Sequence, residues 1–169
     1  MISQRLFDEL NKQVNYEFYS EYLYLAMAAY CESLDLEGFG NFFKVQAEEE
    51  RFHAMKLFNY INEMDGRVTL DSIEKPCNEY ESALDVFEKA LKHEKLVTSR
   101  IYHLSDIATE EREHATISFL KWYIDEQVEE EASFSKLVKK LKLLKDDSHG
   151  LFMLDSELAQ RTFTPPVTN

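Results

Sequence analysis

Four long stretches of this chain repeat apolar residues at intervals of three and four, and a glutamate breaks each series near its middle. The breaks are Glu17, Glu50, Glu94 and Glu130, and Glu50 is followed three residues later by His53. Residues at this spacing share one face of an α-helix. The pattern therefore predicts four amphipathic helices, each with an acid on its inward face.

The expected fold follows from the length of these stretches. Four glycines and three prolines leave little to interrupt helices over residues 3–33, 38–64, 82–108 and 112–145. Residues 65–81 carry Pro76 and no helical period, and about seventeen extended residues reach roughly 55 Å, enough to run along a helix of about 40 Å. The predicted fold class is all-α: a four-helix bundle with one long crossover between helices two and three, plus a short C-terminal fifth helix.

The expected organisation is a single domain with two C-terminal additions. Residues 1–145 form the bundle, and 44% apolar residues in the whole chain suffice for a sizeable core. Residues 146–160 form the short C-terminal helix. Residues 161–169 form a tail with Pro165 and Pro166, which we expect to be flexible.

Charge and composition restrict the partners and the location. A formal net charge of −13 argues against nucleic acid as a partner, because phosphate contacts need a surplus of Lys and Arg, and it suits attraction of cations. No stretch approaches 18 uncharged apolar residues, so no membrane partner is expected. The N-terminus does not look like a signal peptide, and Cys31 and Cys77 form no disulfide framework. These features predict a cytoplasmic location.

The inward-facing acids need a source of positive charge. Each lies about half-way along its helix, so helices packed along their full lengths bring four carboxylates and His53 to one level. Burying an ionised carboxylate without a partner is costly, and the central positions of the four series contain no Lys or Arg. Carboxylates with an imidazole suit iron, manganese or zinc, and four carboxylates balance two divalent ions. The sequence thus predicts a dinuclear metal site.

A second Glu-x-x-His, from Glu111 to His114, shows that this motif alone is not specific. It lies at the start of the fourth predicted helix, roughly 24 Å along the axis from Gln127. Acids are favoured at helix starts by the helix dipole. We therefore expect this second pair to be solvated and to bind no metal.

Several stretches carry a resemblance to a known family. They are N-Y-E-F-Y-S-E-Y-L-Y at 15–24, A-E-E-E-R-F-H at 47–53, K-H-E-K-L at 92–96 and F-L-K-W-Y-I-D-E-Q-V-E-E-E at 119–131. With them, the chain resembles the bacterial non-haem ferritins over nearly its whole length, and G-L-F-M-L-D-S-E-L is similar to their fifth helix.

Two neighbouring families fit less well. Bacterioferritins have two Glu-x-x-His motifs, whereas this chain has Gln127 to Glu130 in place of the second motif. Bacterioferritins also bind haem through a Met, and this chain has Arg51 at that position. No haem is therefore expected. Rubrerythrins append a Cys-rich iron domain, which two cysteines cannot build.

The resemblance implies that the central site binds two irons. Glu17 and His53 would bind the first iron, and Glu94 and Glu130 the second. Glu50 would bridge the two.

The resemblance also implies more distant roles. Gln127 would hydrogen-bond near the second iron. A third iron position would use Glu49, Glu126, Glu129 and Glu130, although acids on a solvent-facing stripe need no ligand role.

Tyr24 and Trp122 match aromatic residues beside the family's metal centre. They are candidates for electron donors, with Tyr24 as the candidate catalytic residue, although aromatics at core positions are usually packing. The function implied is iron storage with ferroxidase activity, using O₂ or H₂O₂, in a homo-oligomeric shell of 24 subunits. Two alternatives stay open: a non-storage di-iron enzyme that scavenges peroxide, and a metal-free structural bundle.

Overall fold

The computed structural model describes residues 2–166, and within this range it contains five α-helices and no strand. The helices are α1 (Gln4–Ser33), α2 (Glu37–Glu63), α3 (Ala83–Glu110), α4 (His114–Leu144) and α5 (Ser148–Leu158). α1 packs along α2, and α3 along α4, while α1 also contacts α3. The predicted all-α bundle with a crossover between helices two and three and a short fifth helix is confirmed.

Local sequence signals mark the ends of the helices. The hydroxyls of Ser3 and Ser82 accept hydrogen bonds from the backbone N–H groups of Leu6 and Asp85, at 3.1 Å each, and so cap α1 and α3. Asp35 and Arg112 adopt φ values of 58° and 56° in the short loops after α1 and α3. These left-handed residues reverse the chain within a few positions, which produces two antiparallel hairpins.

The crossover between α2 and α3 runs beside α1 and is held by two asparagines. The side chain of Asn11 donates to the carbonyl of Arg67 (3.2 Å) and accepts from the N–H of Thr69 (2.8 Å). Asn15 pairs in the same way with the backbone of 71–72, at 3.2 and 3.1 Å. The amides supply the partners that a segment without regular structure otherwise lacks.

The core consists of two apolar clusters with a polar layer between them. One cluster centres on Phe43, Phe87 and Phe134 and includes the C-terminal half of α1. The other includes Leu10 and Leu57 and the N-terminal half of α1. The buried acids lie between these clusters, where the apolar series of the sequence are interrupted.

Helix α5 packs against α2 and α4 and completes the first turn of α2. Leu36 precedes α2 but makes no side-chain cap, and the carboxylate of Asp155 on α5 accepts instead from the N–H of Phe39 at 2.9 Å. The approach is close, because a Cβ on Gly38 would lie 1.8 Å from the carbonyl oxygen of Asp155. A glycine at this position is therefore what allows the two helices to touch.

The segment after α5 returns to the surface of α2. Arg161, the first residue of the predicted tail, donates hydrogen bonds to Phe42 and Glu49 on α2. Residues 167–169 lie outside the described residues, and the flexibility of 161–169 stays a prediction. Within residues 2–166, no helix combines the length and the apolar character needed to cross a membrane.

Candidate metal centre

Four acids and one imidazole meet in the polar layer of the bundle. Glu17 comes from α1, Glu50 and His53 from α2, Glu94 from α3 and Glu130 from α4, and each is at most 6% exposed. They form two groups that share Glu50: Glu17, Glu50 and His53, and Glu50, Glu94 and Glu130. Within each group, one potential ligand atom per residue lies within 4.8 Å of the others. The structure thus brings together the four glutamates that interrupt the apolar series of the four helices.

Glu50 occupies the centre of this arrangement. Its Oε2 atom lies 3.6 Å from Nδ1 of His53, one turn along the same helix. The amide of Gln46 donates to Oε1 of Glu50 and to Oε1 of Glu130, at 3.0 Å each. Gln46 therefore links α2 to α4 through the two carboxylates.

Uncharged donors orient the other acids. The Gln13 amide donates to Oε1 of Glu17 at 2.8 Å, and the Gln127 amide to Oε2 of Glu94 at 3.1 Å. The Tyr24 hydroxyl donates to the second oxygen of Glu94. Such bonds hold carboxylates in place without adding a positive charge, which leaves room for a cation.

Two carboxylate oxygens in the layer have no hydrogen-bond partner among the described residues. They are Oε2 of Glu17 and Oε2 of Glu130, and both are fully buried. A third such atom in the described chain, Oε2 of Glu111, lies away from the layer. Buried polar atoms are normally paired, so the two orphans in the layer point to a ligand that supplies positive charge.

Burial changes the protonation of these acids in the metal-free chain. Burial, reinforced by the neighbouring charge of Glu50, raises the pKa of Glu17 to about 8 and the pKa of Glu94 to about 7. Burial and Glu94 together raise the pKa of Glu130 well above its ordinary value. These carboxyl groups therefore retain protons near neutral pH, and a metal ion must displace the protons.

His53 and Glu50 behave as an ion pair. Burial lowers the pKa of the imidazole, but the hydrogen bond and charge of Glu50 outweigh it and raise the pKa of His53 to about 9. Burial raises the pKa of Glu50, but His53 and Gln46 hold it below its ordinary value. The imidazolium is thus the resident counter-charge of the metal-free layer.

The residues predicted for a third position are less tightly assembled. Glu126 is half-buried and forms a third potential metal-binding group with His53 and Glu130. Glu49 is half-buried and pairs with Arg161 at 2.6 Å. Glu129 is exposed and joins no such group in the described part of the chain.

The two predicted aromatic residues lie on opposite sides of the layer. Tyr24 is fully buried and packs against Phe43 and Phe134, with ring centroids 5.9 Å from each. Trp122 is half-buried, and its ring meets that of His53 edge-on at 5.4 Å. Each of these aromatic residues contacts a residue of the metal centre and also packs against an apolar cluster of the core.

The second Glu-x-x-His lies apart from the layer. α4 begins at His114, which is exposed and belongs to none of the potential metal-binding groups in the described chain. Sequence reasoning did not find the supporting residues Gln13, Gln46 and Arg161. The two glutamines lie four residues before Glu17 and Glu50, a spacing that places them on the same helix face, whereas Arg161 carries no comparable signal.

Known proteins are similar to this chain in both sequence and structure. A family model of the ferritin-like domain matches residues 7–144. The bacterial non-heme ferritin of Staphylococcus saprophyticus is 46% identical over 96% of this chain and 98% of its own length. That of Staphylococcus aureus strain MRSA252 is 45% identical with the same coverage.

Solved archaeal structures align as well. The open pore ferritin from the hyperthermophilic archaeon Archaeoglobus fulgidus has a TM-score of 0.95 and 47% identity, over 96% of this chain and 100% of its own. A humanized archaeal ferritin has a TM-score of 0.97 and 48% identity, and the alignment covers 98% of this chain and 100% of its own. Because the family match spans the bundle and the relatives align over nearly their whole lengths, this chain belongs to the bacterial non-haem ferritins of the ferritin-like family.

Proposed function

We propose that this chain stores iron and oxidises Fe(II) to Fe(III) at the buried layer, with O₂ or H₂O₂ as the electron acceptor. The observation that carries the proposal is the pair of potential metal-binding groups that share Glu50, together with the unpartnered oxygens of Glu17 and Glu130. Four carboxylates and an imidazole are suitable ligands for two first-row divalent ions. Iron is here the substrate.

Each residue has a defined part in this proposal. Glu17 and His53 hold one iron, Glu94 and Glu130 hold the other, and Glu50 lies between them and bridges both. Two Fe(II) ions placed this close together can deliver two electrons to one acceptor, which is the chemistry that the substrate supplies. Gln127 and Tyr24 orient Glu94 by donating to its two oxygens.

The protein must also move protons when iron binds. Glu17 and Glu94, with pKa values of about 8 and about 7, give up their protons as the ions arrive. His53 must lose its proton as well, because only a neutral imidazole is a ligand. Iron binding therefore releases protons and is favoured by higher pH.

Storage requires a container, and we propose that 24 copies of the chain form a hollow shell in the cytoplasm. The similarity to solved ferritins supports this assembly. Exposed apolar side chains on α1, the crossover and α5 are consistent with subunit contacts. They include Tyr22, Leu70, Ile73, Phe152 and Met153.

Two measurements test the proposal. Anaerobic titration calorimetry with Fe(II) should show two tight ions per chain, and aerobic loading should yield a shell-sized particle that retains many irons per chain. Oxidation without retained iron would favour the peroxide-scavenging enzyme. Absence of stoichiometric Fe(II) binding would instead favour the metal-free structural bundle.

A further inference from the structure

Arg161 makes an unusually complete set of contacts for a residue beyond the last helix. Its guanidinium donates to Oε2 of Glu49 at 2.6 Å, to Oε1 of Gln46 at 2.9 Å and to the carbonyl of Phe42 at 3.2 Å. It also lies 4.2 Å from the centroid of the Phe42 ring, at cation–π distance. All of these partners belong to α2, so the side chain helps to fix the segment after α5 to that helix, together with Asn41 of α2, whose amide donates to the carbonyl of Arg161 at 3.0 Å.

This guanidinium occupies a place where a metal ion could bind. Glu49 is one of the acids that the resemblance to bacterial non-haem ferritins implies for a third iron, and Arg161 is its ion-pair partner among the described residues. Both side chains are largely covered, with exposures of 20% and 24%, so the pair is shielded from solvent more than a typical surface salt bridge. A divalent ion and the guanidinium therefore compete for the same carboxylate.

The residues after Arg161 form a wall of a cavity at the metal centre. The cavity has a volume of about 310 Å³ and is lined on one side by His53, Glu126 and Trp122. Phe163 and Pro166 line the other side. The rings of Phe163 and Phe52 meet edge-on, with centroids 5.9 Å apart, which seats the segment against α2.

A hydrogen-bond relay connects Arg161 to the buried carboxylates. Arg161 donates to the oxygen of the Gln46 amide, so the nitrogen of that amide faces the layer. From there it donates to Glu50 and Glu130. The orientation of Gln46, and with it the position of two proposed ligands, depends on the guanidinium.

We propose that Arg161 is a displaceable cation at the outer metal position: it holds Glu49 and orients Gln46 in the metal-free chain, and an ion that binds Glu49 displaces it and moves the segment 161–166 away from the cavity. This inference rests on the proposed function, because it takes two ions to bind first in the buried layer and concerns a further ion that binds at Glu49. The exchange replaces one positive charge by two beside Glu49 and Glu126. It also delays occupation of the outer position relative to the central two.

The single tryptophan provides a readout that does not depend on iron oxidation. Trp122 lines the cavity under the segment 161–166, so acrylamide quenching of its fluorescence reports how well the segment covers it. Zinc is a suitable titrant, because it is redox-inert and accepts the same ligand types. In the native chain, quenching should stay low through two equivalents of Zn²⁺ and rise with the third.

Substitution of Arg161 should abolish this behaviour. In Arg161→Gln we expect high quenching before any metal is added, and binding of the third Zn²⁺ about tenfold tighter, as expected for removal of one charge-assisted contact. Arg161→Lys should restore much of the cover, because the charge remains. Arg51→Gln removes a nearby exposed cation that pairs with Glu21 and should leave both readouts unchanged.

A second pair of variants tests the cover without changing charge. Phe163→Ala should increase quenching of Trp122, whereas Tyr102→Ala, which truncates an exposed ring on α3, should not. Equal quenching and equal third-ion affinity in the native chain and in Arg161→Gln would overturn the inference. If the native chain bound no ions tightly, the proposed function would fail, and the acrylamide comparison would still decide whether Arg161 holds the segment.

Discussion

The hydroxyl of Tyr24 on α1 donates a hydrogen bond to the buried carboxylate of Glu94 on α3. Tyr24 is fully buried and packs against the rings of Phe43 and Phe134, so the donor has little freedom to turn away. The other oxygen of Glu94 accepts from Gln127. The position of this carboxylate is thus determined from two sides before any metal binds.

Replacing Tyr24 by phenylalanine should separate orientation from packing. The ring of Tyr24→Phe still stacks, but Glu94 loses one donor, so we expect stability to fall by about 1–2 kcal/mol. Stopped-flow measurement should show Fe(II) oxidation slowed about tenfold, with two ions still bound per chain. Tyr102→Phe removes an exposed hydroxyl from the same helix as Glu94 and serves as the control. An unchanged oxidation rate in Tyr24→Phe would contradict the assigned role.

Two histidines in identical motifs should respond differently to truncation. His53→Ala removes the imidazole beside Glu50 and should reduce the rate of Fe(II) oxidation at least tenfold, because the first ion loses a ligand. His114→Ala changes an exposed residue at the start of α4 and should leave the rate within twofold. An equal loss of oxidation rate in the two variants would show that the position of the motif along its helix does not determine its role in Fe(II) oxidation.

The stability of the metal-free chain should fall as pH rises from 7 to 9. In this window the folded chain loses protons from Glu94, Glu17 and His53, with pKa values of about 7, 8 and 9, whereas the unfolded chain has already lost them. The folded state therefore binds more protons, and each group lowers the free energy of unfolding by up to about 1.4 kcal/mol per pH unit. Urea titrations at several pH values measure this slope.

Two comparisons check the origin of that pH dependence. Glu17→Gln removes one of the three groups and should flatten the slope. Saturating Zn²⁺ should largely abolish the slope, because the metal-bound folded chain has lost the same protons as the unfolded chain. A metal-free chain that gained stability between pH 7 and 9 would mean that the buried carboxyl groups carry no protons at neutral pH.

Substitution of Gly38 should detach α5 while leaving the bundle folded. A Cβ at this position would lie 1.8 Å from a backbone atom of Asp155, so Gly38→Ala must separate α5 from α2. We expect a loss of about 1–3 kcal/mol and faster tryptic cleavage near Lys145. Gly150→Ala is the control, because its Cβ meets only side-chain atoms of Leu144 and Asp147, which can move. Equal cleavage rates in the two variants would argue against the close contact.

The central residues could be predicted because they interrupt a periodic signal. Glu17, Glu50, Glu94 and Glu130 each replace an apolar residue in a helical series, and a bundle allows such breaks to be compared by their level along the helices. The crossover was predictable in the same way, from a stretch without a period. Helix periodicity thus carries information about which face a residue occupies and how far along the axis it lies.

Contacts between distant segments could not be predicted in this way. Arg161 meets Glu49 and Asp155 meets the first turn of α2, and each pair is more than 100 residues apart in sequence. Neither residue interrupts a series, and both lie near the C-terminus, where the pattern is short. Their partners depend on where the chain returns after α4, which local spacing does not specify.

The cap that Asp155 provides for α2 also bears on the order in which the chain folds during synthesis. Asp155 and Phe39 are separated by 116 residues, so α2 leaves the ribosome long before its first turn can be completed. At typical elongation rates the interval is about 6 to 23 seconds. The α1–α2 hairpin must therefore persist with a frayed start, and docking of α5 is expected as a late step that completes the N-terminal end of α2.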